Sequence, residues 1–188
     1  QTIVYDLTEP ATQHFVANGF VVHNCSEFLS NDDTSCNLAS LNLVTFLKPD
    51  GSLDLDAYRH AIRLWTIALD ITVFMASYPS RAIAERTAKL RQLGLGYANL
   101  GAVLMRMGLP YDSDQARAVA QGLTAILTGE AYATSADLAR ALGPFEYYAE
   151  NRDAMLRVIR NHHRAAHGQN DGYEGLSVLP RPLNTALC

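Results

Sequence analysis

Between Asp54 and Ser77 apolar side chains recur at steps of three and four, at Tyr58, Ile62, Trp65, Leu69 and Val73, which is the spacing of one face of an α-helix. A stripe one face wide needs a surface to cover it, so this stretch predicts a helix packed into a larger scaffold. Pro79 closes it, and Arg81 to Gln92 predicts a shorter helix. Gly94, Gly96 and Gly101 would let a following helix, running through Met107, approach a neighbour closely. Ser113 is a good N-cap for a long helix that presents Val119, Leu123 and Ile126, with Gly143 and Pro144 as its stop. A last helix is expected from Phe145 to His167, and residues from Asn170 to Cys188 read as loop.

With 188 residues, 48% of them hydrophobic, the chain can bury one ordinary core, so one domain plus an appendage is expected. Charged residues are only 18% and the net charge is −4, without a basic stripe for nucleic acid or an acidic tail. The longest apolar stretch, Leu64 to Met75, is broken by Thr66, Asp70 and Thr72, so no membrane span is predicted, and no signal peptide is seen. Three widely spaced cysteines make neither a disulfide framework nor a zinc site, which fits a reducing cytoplasm. Starting at Gln1 and stopping at Cys188 after a polar loop, the sequence reads as a fragment. His163 and His167 share a helical face with His162 nearby, but among Arg160 and Arg164 a solvated basic surface is the better reading than a metal site. Packing explains the adjacent Tyr147 and Tyr148 as readily as radical transfer does. There is no Gly-rich phosphate loop.

The first 24 residues have a different character. Ile3 to Leu7 is β-prone, and His14 to Ala17 and Phe20 to His23 flank Asn18 and Gly19, a strong hairpin signal. After the hairpin come His23, Asn24 and Cys25. An asparagine amide can attack its own backbone carbonyl, closing a succinimide and releasing the amine of the next residue. A neighbouring imidazole can supply the proton, and a downstream thiol can first accept an acyl group. Singly, these residues also suit an ordinary hairpin. In order, Gly19, Phe20, Val21, Val22, His23, Asn24 and Cys25 closely resemble the C-terminal splice junction of inteins, and Val4, Tyr5, Asp6 and Leu7 resemble the strand before it. The resemblance implies that Asn24 cyclises, His23 assists, Asp6 supports acyl transfer, and Cys25 is the first residue of the host protein. Gln13 and His14 share the place where inteins often carry an assisting histidine, so His14 is not assigned that role. The intein's N-terminal half is not in this sequence, so the chain is not expected to splice alone.

From Cys25 on, a second chemistry begins. Cys25 and Glu27, two apart, would put a thiol and a carboxylate on one side of an extended segment. A buried thiol beside a surface acid fits that pair equally well. The longer runs decide more: Cys25, Ser26, Glu27, Phe28, and then Asp32 through Cys36, Asn37, Leu38, Ala39, Ser40, Leu41, Asn42 and Leu43, resemble the active-site loop of ribonucleotide reductase large chains. Leu93 to Ala102 and Gly108 to Ser113 resemble two further signatures of that family, in wording closest to its adenosylcobalamin-dependent class. The resemblance implies that Cys25 is the thiyl radical that removes the ribose 3′-hydrogen. Glu27 becomes the base for the 3′-hydroxyl, and Cys36 one of two thiols that end as a disulfide. The partner thiol, and the asparagine the family carries two residues before its radical cysteine, are expected upstream; here His23 holds that place, and excision would restore the host's asparagine.

The expected fold is therefore α/β: the closing hairpin of an intein (Hint-type) β domain over residues 1–24, then a helix-rich part of the reductase α/β barrel over 25–188. The resemblance implies adenosylcobalamin as cofactor, with binding residues unknown. It also implies a ribonucleotide substrate, a thioredoxin- or glutaredoxin-like reductant, allosteric nucleotides, and compatibility with a full-length homodimer. A metal-radical (class I) reductase and a non-catalytic helical interaction module stand as alternatives.

Overall fold

The computed structural model describes residues 14–17, 20–23 and 30–184, the first two stretches as backbone only. The chain divides into two compact units, 1–32 and 33–188. In the first, β1 (His14–Ala17) and β2 (Phe20–His23) form an antiparallel pair in the register His14 to His23 and Ala17 to Phe20, as the Asn18-Gly19 signal predicts. The β-prone run around Asp6, the turn itself, Asn24, Cys25 and Glu27 lie outside the described residues.

The second unit is built on two parallel strands, β3 (Asn37–Asn42) and β4 (Leu93–Ala98), paired from Asn37 with Leu93 to Asn42 with Ala98. Parallel strands need a long crossover. Here it contains a 3₁₀ turn (Leu43–Phe46), α1 (Leu55–Met75) and α2 (Arg81–Leu90). After β4 come α3 (Leu100–Arg106), α4 (Asp114–Leu142) and α5 (Tyr148–Ala166). Two expectations are corrected. Residues 93–98, predicted as the start of a glycine-tolerant helix, form β4, because their pairing with β3 supplies backbone partners that the local sequence does not advertise. The run from Cys36 to Leu43, expected as part of an active-site loop, contains β3.

Three of the helices, α1, α2 and α4, start at a side-chain cap. The carboxylate of Asp54 accepts from Ala57 N, the hydroxyl of Ser80 from Ile83 N, and that of Ser113 from Ala116 N. Gly143, at φ +91°, ends α4 in a conformation open to glycine. The core gathers Leu41 and Leu43 from β3 and the turn after it, Tyr58 and Ile62 from α1, Val103 from α3, and Leu123 and Leu127 from α4. Phe46 meets Tyr58 edge to face at 5.3 Å, and the Tyr58 hydroxyl donates to Leu123 O at 3.4 Å. Burial above all pushes the Tyr58 phenol up, so it stays a neutral donor. The buried stripe of α1 is Tyr58, Ile62, Thr66, Leu69 and Val73. Trp65, expected in that stripe, is 47% exposed. Steps of four carry the buried line from Ile62 to Thr66, and the Thr66 hydroxyl is satisfied inside the helix by Ile62 O at 2.8 Å. No described helix is long and apolar enough to cross a membrane.

Candidate functional site around Cys36

Cys36 stands at the entrance to β3, half-buried, and three elements fix the backbone on either side of it. On one side, Ser35 N donates to the Thr87 hydroxyl at 3.0 Å, and Thr87 is only 1% exposed within α2. On the other, the Asn37 amide donates to Leu69 O at 3.2 Å and to the Thr72 hydroxyl at 2.8 Å, both on α1. Thr72 in turn donates to Leu69 O at 2.8 Å. The sulfhydryl is directed at Asn37 O, 3.6 Å away. The third element is β4. A Cβ on Gly94 would lie 3.4 Å from Cys36 Sγ and 3.3 Å from Asn37 O, and would run into Leu38 Cδ2. Glycine at 94 thus lets β4 pass close beside the thiol.

The turn that leads from α2 into β4 is tied down in the same region. Arg91 adopts the left-handed conformation, φ 52°, at the end of α2. Its Nε donates to Asp70 Oδ1 at 2.9 Å and its terminal nitrogen to Asp70 O at 3.2 Å, while the guanidinium lies 4.1 Å from the Phe74 ring centroid. At the far end of β3, Asn42 Oδ1 accepts from Val44 N at 3.2 Å and from Asn99 Nδ2 at 2.9 Å. Two motifs some fifty residues apart in sequence are thereby neighbours: Asn37–Asn42 of the first pairs with Leu93–Ala98 of the second. The third, Gly108 to Ser113, leads into the N-cap of α4, where Arg117 pairs with Asp112 and Asp114.

Chemically this is a thiol with a rigid backbone, at the edge of a buried core, beside a strand that offers no side chain to obstruct it. Such a thiol can join a second thiol brought to it as a disulfide when an acceptor takes the two electrons and two protons. The structure does not describe the other sequence-predicted site residues: Asp6, Asn24, Cys25 and Glu27 lie outside it, and His23 is described as backbone at the end of β2. His163 and His167 stack with ring centroids 4.1 Å apart, with His167 Nδ1 2.9 Å from His163 O. Among the described residues no group of three His, Cys, Asp or Glu could hold a metal ion.

The model of the ribonucleotide reductase barrel domain matches residues 22–177. The chain belongs to the ribonucleotide reductase barrel-domain family. Among its relatives are the vitamin B12-dependent ribonucleotide reductases of Agrobacterium fabrum, 60% identical over 165 residues, and of Bradyrhizobium diazoefficiens, 56% identical over 165 residues; each match covers 87% of this chain and 13% of the relative. That of Rhodopirellula baltica is 52% identical over 147 residues, covering 78% of this chain and 14% of the relative. The chain thus spans 13–14% of the length of these curated relatives.

Within this reductase barrel segment, reading the sequence singled out Cys36 and missed what holds it. Thr87 carries no local signal, since a threonine in a helix is unremarkable until its distant partner, Ser35 N, is known. Gly94 carried one: a glycine within a strand marks close backbone approach, once the strand is recognised.

Proposed function

We propose that the full-length protein is an adenosylcobalamin-dependent ribonucleotide reductase that acts in the cytoplasm, and that this chain carries its radical and reducing thiols. The observation that carries the reading is the 60% identity, over 87% of the chain, to a relative named vitamin B12-dependent ribonucleotide reductase. In this reading the Cys25 thiyl removes the 3′-hydrogen of the ribose and Glu27 takes the 3′-hydroxyl proton. The 2′-hydroxyl leaves as water. Cys36 and a second thiol outside this sequence give up two electrons and two protons and become a disulfide. The balance is ribonucleotide plus two thiols to deoxyribonucleotide, disulfide and water. A thioredoxin- or glutaredoxin-like dithiol restores the pair by exchange. Allosteric nucleotides and a homodimer belong to the same proposal.

Adenosylcobalamin, when bound, would supply the initial radical. None of the described residues is assigned to its seat, and His163 and His167 are stacked on each other.

Residues 1–24 are proposed as the end of an intein excised before Cys25. The antiparallel β1 and β2, the order His23, Asn24, Cys25, and a family match that starts only at residue 22 support this.

The test uses mature full-length enzyme supplied with adenosylcobalamin and a dithiol reductant, without any metal-radical subunit. Deoxynucleotide should form. Cys25→Ala should abolish it, and Cys36→Ser should stop repeated turnover with the protein reductant. Activity that appears only with a metal-radical subunit would overturn the reading.

A further inference from the structure

We propose that Thr87 and Asn37 are positioning residues for the Cys36 thiol, an inference that rests on the reductase reading above. Cys36 lies between two residues whose polar groups are each held by a different helix. The Thr87 hydroxyl on α2 takes the amide of Ser35, and the Asn37 side chain reaches Leu69 O and Thr72 on α1. These bonds span 52, 32 and 35 residues of sequence, so they are tertiary ties rather than local turn chemistry. Gly94 supplies the third wall: one added carbon there would reach contact distance of the sulfur, crowd Asn37 O and run into Leu38 Cδ2.

The Thr87 side chain is buried to 1% exposure in a helix whose other residues are half-buried or exposed. A threonine here needs a reason. A valine would fill the same volume, and the feature valine lacks is the acceptor for Ser35 N. Removing the acceptor strands that amide and frees the approach to the thiol on one side. Removing the Asn37 amide frees the other. In the step affected, Cys36 loses its proton and joins the second thiol. One disulfide forms, and two electrons and two protons pass to the nucleotide, whose 2′-oxygen departs as water. Its rate depends on how well the sulfur is held for attack, and misplacement by about 1 Å can cost on the order of a hundredfold.

The experiment uses mature full-length holoenzyme, pre-reduced and then freed of external reductant, so that each molecule turns over only on its own thiols. Thr87→Val should slow this single turnover about tenfold without changing the KM for nucleotide, and Thr87→Ser should restore most of the rate. Asn37→Ala, whose helix partners Thr72 and Leu69 still satisfy each other, should slow it likewise, and it carries the test if Thr87→Val does not fold. A wild-type single-turnover rate in the folded variants, or a loss that Thr87→Ser shares with Thr87→Val, would overturn the assignment. Cys36→Ser separates the two levels. If that variant keeps turning over, the reductase reading beneath falls. If it fails while Thr87→Val and Asn37→Ala keep the wild-type rate, this inference alone falls.

Discussion

Glu174 shows how one side chain can hold a loop. Its carboxylate accepts from Arg160 Nε at 2.8 Å and from Arg164 at 3.0 Å, while its backbone and the Asn161 side chain exchange two further hydrogen bonds of 2.9 Å. Arg160 first, and then Arg164, hold the carboxyl at about 2, below its ordinary 4.5. Because the folded state binds this proton more weakly than the unfolded chain, the ion pairs stabilise the loop above pH 4.5. Their contribution fades as the pH falls from 4.5 towards 2. Exposed pairs add little to global stability, so the effect belongs to the loop and not to the core. Amides of Glu174 and its loop neighbours should therefore lose hydrogen-exchange protection over that acid window while the core amides of α1 keep theirs. Glu174→Gln should leave the loop equally exposed at neutral and acid pH. A loop whose protection is the same at pH 3 and pH 7 in the unsubstituted protein would refute this account.

At the scale of elements, α1 decides most of the packing, and its faces can be told apart by substitution. Ile62 is fully buried in the core cluster, so Ile62→Ala should cost about 2–5 kcal/mol in urea unfolding, with the slope unchanged. Trp65→Ala, on the half-exposed side, should cost far less despite removing a larger side chain. Equal losses would mean that the sequence stripe, and not the observed one, faces the core. The helices were legible because their signals are local. The steps of three and four in α1, the Ser113 cap and the Gly143 stop act within one or two turns of the residues concerned, and α1 and α4 end within two residues of where those signals put them. Trp65 was misplaced because apolar character stood in for burial, whereas the buried line passes through Thr66. β3 and β4 were not legible, because they stabilise each other across more than fifty residues, and a short glycine-rich run carries no period that distinguishes strand from helix. The same asymmetry holds at the site. Cys36 was visible in its motif, whereas Thr87, Gly94 and the Thr72 tie exist only through contacts between distant segments.

At the scale of the whole molecule, the order of events follows from where the proposed junction lies. Cys25 would first be the acceptor in peptide rejoining and then the radical-bearing residue of the mature enzyme. In that proposal, until Asn24 cyclised, the bond between Asn24 and Cys25 would keep the proposed intein end attached to the proposed radical residue, and the host segment would not yet be joined to Cys25. The described ties around the proposed reducing thiol lie in the other unit: Ser35 and Asn37, on either side of Cys36, are held by α2 and α1, and β4 runs beside it. An unspliced precursor should therefore fold this cradle and still make no deoxynucleotide. Replacing Asn24 with Ala in the full-length precursor separates these outcomes. Intact mass should show one uncut chain, hydrogen exchange should find the Ser35 amide protected by its bond to Thr87, and the product assay should be blank. Deoxynucleotide made by the uncut chain would show that the radical residue works without excision, and the two-stage role of Cys25 would have to be given up.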